Sequence, residues 1–308
     1  MFYETDCYQL ANGSLQTHRL TIAWICALSV EAAAARVMLD KIHNALPQPS
    51  TDMNAYVLGE LNGYFIAIAC LPIGVYGTVS AAAAVSHMCS TFARIDVGIM
   101  VGIGGGVPGT SNDIRLGDVV VSKPVGKYSG VIQYDFGNAV QGGHFEPTGS
   151  LNKLLQILLT HMAQLEAKRL TEREDLILTN VEMVLEENPD EKGSFAPPDQ
   201  QTGFLFSSSY HHAGNQNDCA NCDREYLIRR QPRGTRAPFI HFGLIASGDQ
   251  SLRSSVLRWK QLGYATIATS HKQKRWQGYA ALTAAVYARL LLSTVPIDIT
   301  TTARSEHG

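Results

Sequence analysis

The residues best placed to do chemistry on a small ligand lie around the run Met100-Val-Gly-Ile-Gly-Gly-Gly-Val107. An apolar stretch breaks there into a glycine cluster, as a buried strand does where it opens onto a bound molecule. Without side chains in the way, backbone N–H groups can approach a ligand closely. Gly102, Ile103, Gly104, Gly105 and Gly106 are therefore expected to contact one. The cluster is not a dinucleotide fingerprint, because no helix pattern follows directly and Pro108-Gly109 intervenes.

Other reactive residue types have blander readings. Cys219-x-x-Cys222 has the spacing of a metal knuckle, with His211 and His212 upstream. The histidines precede the thiols closely instead of following at finger spacing, so a structural pair of loop cysteines is the alternative, and no metal site is assigned. The carboxylate-rich run Glu182–Glu191 reads as a solvated helix face, and the basic cluster Arg224, Arg229, Arg230, Arg233, Arg236 as a solvated loop. His271, Lys272, Lys274 and Arg275 precede the last helix; they face solvent by default, with a ligand phosphate as the alternative.

The elements that must position these residues follow an alternating pattern. Thr21–Leu28 is a short buried strand, after which Ser29 caps a helix running to about His43, with Glu31 in its first turn. Ala55–Gly59 and Tyr64–Leu71 pair around the turn signal Leu61-Asn62-Gly63. An alanine-rich helix spans roughly Thr78–Phe92, and Val97–Ile103 and Gly117–Lys123 are further buried strands. Two amphipathic helices, Leu151–Arg169 and Arg173–Glu187, lead into loop-like sequence. A strand at Phe239–Ala246 runs into Ser247-Gly248-Asp249, and an apolar helix covers Trp276–Thr294. Strands alternating with helices give an α/β fold with helices on both faces of a sheet.

With 308 residues and 45% hydrophobic content, the chain can bury one full-size core. A net charge of -2 implies no surface for nucleic acid. No apolar stretch reaches the roughly 20 residues of a membrane span. Cys26, Cys70 and Cys89 fall inside apolar runs, where a free thiol acts as a small hydrophobe, so a reduced cytoplasmic setting is expected. Residues 1–20 and 298–308 read as tails around one domain, 21–297, with an irregular insert at about 151–238. There are no internal repeats.

Seven segments in order resemble the purine nucleoside phosphorylase/uridine phosphorylase superfamily, in particular its fungal branch, often joined to NACHT, ankyrin or TPR regions. They are Ile22–Ala35, Gly74–Ala82, Val101–Pro108, Ile114–Pro124, Tyr134–Gly137, Gly243–Gln250 and Ser270–Ala281. The resemblance implies a three-layer fold in which a central mixed sheet forms a distorted barrel flanked by helices, with the ligand at strand ends. It implies cleavage of the N-glycosidic bond of purine nucleosides, a nucleoside or nucleotide ligand, no cofactor, and a homo-oligomer.

That reaction passes through an oxocarbenium-like sugar and an anionic base. It needs an acid at the base, a carboxylate on the ribose hydroxyls, and phosphate or activated water as nucleophile. Glu31 falls where hydrolytic members place the carboxylate that activates water; the alternative is simple first-turn charge. Gly74, Gly102–Gly106, Gly248 and Asp249 fall in ligand-contacting segments. Where phosphorolytic relatives carry a glycine, an arginine and a hydroxyl residue for phosphate, this chain has Cys26, Met100 and Ile103, which cannot neutralise an oxyanion. Hydrolysis is expected over phosphorolysis.

One departure is large. Family members carry, after the SGDQ-like strand, a further strand ending in a ribose-binding Met-Glu pair, and then a catalytic Asp before the SHK-type segment. Here only Ser251–Thr269 lies between, with space for one short helix (Leu252–Leu262), no Asp or Glu, and Thr266 and Thr269 where acids are expected. The fold is therefore expected to be incomplete. A truncated splice form or gene model, which the intact flanking segments favour, and a degenerate pseudoenzyme are the two accounts of the gap. Its functional alternatives are a non-catalytic nucleoside-sensing module and an unstable product.

Overall fold

The computed structural model describes residues 2–3, 20–92, 94–106, 108, 112–133, 135, 137–140, 144–147, 154–172, 174–199, 203–207, 210, 219, 221–248 and 273–296. At its centre, β1 (Phe2–Tyr3), β2 (Leu20–Cys26), β3 (Lys41–His43), β4 (Tyr56–Leu61), β5 (Tyr64–Cys70) and β6 (Val97–Met100) make one sheet in the order β1-β6-β2-β5-β4-β3. β2 runs parallel to both β5 and β6, whereas β1, β3 and β4 add antiparallel edges.

The sheet is mixed and open at both ends, so the expected barrel does not close among the described residues. The remaining strands form pairs. β7 (Val119–Ser122) lies parallel to β11 (Ile240–Gly243), and β8 (Val131–Gln133) parallel to β12 (Ile245–Ser247). β9 (Gly137–Val140) and β10 (His144–Pro147) are an antiparallel hairpin.

The period-2 alternation of β2 builds two cores. Ile22, Trp24 and Cys26 face one side with Ile66, Ile68, Val97 and Ile99. Against that side pack α1 (Ser29–Val37), α3 (Gln156–Thr171), α4 (Leu176–Glu187) and α6 (Gln277–Thr294). Ala23, Ile25, Ala67 and Ala69 face the other side, covered by Ala84 and Met88 of α2 (Thr78–Thr91) and by Phe92. The short α5 (Lys192–Phe195) brings Phe195 into the first core. Helix α6 is buried nearly all round, with Tyr279, Leu282, Val286, Leu291 and Leu292 inside.

Several expectations shift. The first helix ends at Val37 instead of near His43, because Lys41–His43 leaves to pair with β4, anchored by Asp40 N–H donating to Glu60 O at 2.8 Å. Helix α1 begins at Ser29, so its cap is Leu28 and not Ser29. Phe2–Tyr3, read as tail, pairs with β6. Cys89 is disulfide-bonded and is not the free thiol expected. The Asn62-Gly63 turn is as read: φ of 51° and 84° give the left-handed pair that joins two right-twisted strands. The segment Ser251–Thr269 and its expected short helix lie outside the described residues. No described helix is long and apolar enough to cross a membrane.

Candidate functional site

Because β2, β5 and β6 are parallel, the segments leaving them emerge at one rim of the sheet. Leu71 N–H donates to Cys26 O at 2.9 Å, and Val101 N–H to Ile25 O at 3.2 Å, which locks the three exits together. Ligands of open α/β sheets bind at such carboxyl ends.

Glu31 sits at this rim. Its carboxylate Oε2 accepts the N–H groups of Ala27 (2.7 Å) and Leu28 (2.9 Å), and Oε1 accepts that of Ile103 (2.7 Å). Two of these amides belong to the start of its own helix and the third to the glycine run. The carboxylate therefore caps α1, where Leu28 offers no side-chain acceptor, and clasps the exit of β6. Glu31 is only 4% exposed. Burial drives its pKa above the ordinary carboxylate value, against the opposing pull of the bonds from Ile103, Leu28 and Ala27.

Gly102 makes this approach possible. A Cβ there would fall 2.6 Å from Glu31 Oε1 and 2.7 Å from its carboxyl carbon. Gly102, Gly104, Gly105 and Gly106 are exposed, Ile103 half-buried. Cys26 and Cys70 close the floor: they are register partners at the last positions of β2 and β5. Burial, then the Glu31 charge, pushes both thiols above the ordinary cysteine value.

The carboxylate keeps acceptor capacity beyond its three amide bonds and has no cation beside it among the described residues. It can accept a proton from a water or hydroxyl that reaches it past Gly102. Among the described residues no Lys or Arg joins Cys26, Met100 and Ile103 to make an oxyanion site. The structure thus brings together Glu31, Gly102 and Ile103. Gly74, with φ of 81°, is exposed just after β5 at the same rim. Gly248 is half-buried after β12, and no hydrogen bond links either glycine to Glu31. Asp249 lies outside the described residues.

Sequence reasoning missed Cys70 and the Ala27 and Leu28 amides; the shared terminal position of Cys26 and Cys70 on their strands was the available signal. Among the described residues no cluster of three or more His, Cys, Asp or Glu could hold a metal. Cys219 and Cys222 are buried against Phe204, Phe206, Tyr210 and Leu227, while His211 and His212 lie outside the described residues. Lys274 and Arg275 are exposed.

Two solved structures share this architecture. The 5'-methylthioadenosine/S-adenosylhomocysteine nucleosidase of Neisseria meningitidis, in complex with methylthio-immucillin-A, superposes with a TM-score of 0.50 at 15% identity. The match covers 89% of this chain and 99% of that one. The corresponding nucleosidase of Colwellia psychrerythraea, in complex with adenine, gives 0.50 at 13% identity over 90% and 96%. The chain has the nucleosidase fold. In sequence, it is 37% identical over 308 residues to a nucleotide-binding leucine-rich repeat (NLR)-like protein of Hyaloscypha variabilis; the match covers 92% of this chain. The chain spans about 30% of the length of that relative. No protein-family model matches the chain.

Proposed function

We propose that this domain, residues 21–297, belongs to the purine nucleoside phosphorylase/uridine phosphorylase superfamily and binds a purine nucleoside at the rim formed by Glu31, Gly74 and Gly102–Gly106. The chemistry of that rim is hydrolysis of the N-glycosidic bond and not phosphorolysis. The observation that carries this reading is the Glu31 carboxylate, buried beside the open glycine run with a raised pKa. A carboxylate in that state takes a proton from water more readily than an ordinary one. Cys26, Met100 and Ile103 offer nothing to hold phosphate, and water needs no such cradle. The fold shared with nucleosidases supports the same direction. Gly248, which follows β12, and Asp249 complete the proposed set of ligand-contacting residues.

A second reading has its own support. Ser251–Thr269 contains no Asp or Glu, so the acid that would protonate the departing base has no candidate there. A pocket without it binds and does not turn over at an enzyme's pace, since each such group contributes about 10²-fold or more. The domain would then sense nucleosides as one module of a longer, receptor-like protein, in keeping with the length of its relative. The exposed apolar residues Ile73 (91%) and Val79 (78%), with Val75 and Tyr76 between them, support self-association beside the rim.

The deciding experiment incubates the purified chain with adenosine, inosine and methylthioadenosine and follows free base by chromatography, with and without phosphate. Base release independent of phosphate, lost in Glu31→Ala, supports hydrolysis. No release together with nucleoside-dependent thermal stabilisation supports the sensing module. Neither response from folded protein overturns both.

A further inference from the structure

Part of the basic cluster that the sequence assigns to a solvated loop is instead built into the protein. Arg233 forms a two-pronged ion pair with Asp118, Nη1 to Oδ1 at 2.7 Å and Nη2 to Oδ2 at 2.8 Å. Its guanidinium lies over the Phe239 ring, 4.1 Å from the centroid. Nη2 of Arg233 also donates to Asp113 O. Arg115 pairs with Asp113 through Nε at 2.7 Å and Nη2 at 2.5 Å, and Nη2 donates to Gln231 O at 2.5 Å. Arg230 completes the set, with Nη1 donating to Asp113 Oδ1 and to Ile114 O.

Asp118, with a side chain 2% exposed, is the hub. Besides Arg233 it accepts the N–H groups of Phe239 (3.0 Å) and Arg115 (2.8 Å), and Nε2 of His241 at 2.9 Å. A carboxylate can only accept, so Nε2 carries the proton. Nδ1 of His241 has no partner among the described residues.

Asn112, Asp113, Arg115, Gln231, Pro232, Arg233, Phe239 and His241 line a cleft of about 380 Å³, in which the Asp113 carboxylate is already held by Arg115 and Arg230. That volume lies in the range of small-molecule sites, roughly 300–1,000 Å³. It shares no residue with the Glu31 site. The charges do not balance: among the described residues three guanidiniums face two carboxylates. The carboxylate of Asp118 is saturated with donors, whereas Arg115 Nη1 and the amide side chains of Asn112 and Gln231 carry donors that no hydrogen bond among the described residues uses.

We propose that this cleft is a second small-molecule site, selective for an organic oxyanion, a phosphate monoester or a carboxylate. Arg115 takes the anionic head, the Asn112 and Gln231 side chains reach its remaining oxygens, and the Asp118–Arg233–His241 network holds the wall rigid. A held wall loses little freedom on binding.

The test follows the ring resonances of His241 by NMR in the full chain during titration with glycerol 3-phosphate, succinate and uncharged glycerol. The proposal expects a saturable shift with at least one anion and none with glycerol. Response to glycerol 3-phosphate alone identifies a phosphate monoester, and response to succinate alone a carboxylate. Arg115→Ala should weaken binding about tenfold or more, as expected for one charge-assisted hydrogen bond. Because that variant also releases Asp113, Gln231→Glu serves as a second probe. Gln231 is exposed and its side chain bonds nothing among the described residues, so the added charge should weaken the anion without disturbing the fold. No saturable shift with either anion, or an affinity unchanged in Gln231→Glu, overturns the proposal.

Discussion

The carboxylate of Glu31 and the backbone N–H of Ile103, 72 positions apart in the chain, meet at 2.7 Å. This bond joins the first helix to the glycine run and fixes the distance between this buried acid and the backbone that would face a ligand. Its existence depends on a missing side chain at Gly102.

Gly102→Ala is therefore expected to do more than a surface substitution. The new methyl would fall within 2.8 Å of all three carboxyl atoms of Glu31, so the carboxylate must move and its amide partners lose their acceptor. Chemical denaturation should show a loss of about 1–3 kcal/mol, the usual range for overpacking or for stranding buried amides. Any nucleoside-induced stabilisation should fall with it.

Glu31 also sets a pH dependence. A carboxyl whose folded pKa is raised favours the folded state while it is protonated. That contribution is present below the ordinary carboxylate pKa and is lost as pH rises through the raised folded value. Glu31→Ala removes the titration, so the stability of wild type relative to the variant should decline across this window in urea unfolding at stepped pH. Parallel curves would contradict it.

Asp118 titrates in the opposite sense. Burial alone would raise its pKa, but the bonds from His241, Arg233, Phe239 and Arg115 together outweigh it and the net shift is downward. Its stabilisation is present above the unfolded carboxylate pKa and is lost as pH falls through the lowered folded value. Asp118→Asn leaves Arg233 partly buried without its counter-charge and should cost about 3–5 kcal/mol near neutrality, as broken buried pairs do. The deficit should shrink towards acid pH in the same unfolding assay.

Self-association through the segment after β5 has a direct check. Ile73 and Val79 are among the most exposed large apolar side chains described, and a charge at either costs a monomer little. Sedimentation of Ile73→Asp/Val79→Asp should give a monomer under conditions where wild type is larger. An unchanged sedimentation coefficient removes this face as the interface.

The parts of the fold legible in sequence were those governed by local rules. Asn62-Gly63 announced its hairpin, the short apolar run Thr21–Leu28 announced a buried strand, and the apolar run Trp276–Thr294 announced the last helix. Glu31 and Gly102 were both singled out, but their contact was not, since it depends on how β2 and β6 align. Lys41–His43 misled because its tertiary partner, β4, overrides a helical run. Arg230 and Arg233 read as solvated because their acids, Asp113 and Asp118, stand more than a hundred positions away. Charge composition names the ions and not their pairing.

Helix α6 supplies much of one face of the central core, and its end is tied back to early sequence. Tyr64 OH donates to Val295 O, and Arg289 Nη1 to Met38 O across 251 positions. During synthesis, the inner surface of β2 and β5 must wait until Gln277–Thr294 has cleared the ribosome. The domain is closed by its last helix, so it matures as a unit only after that segment is delivered.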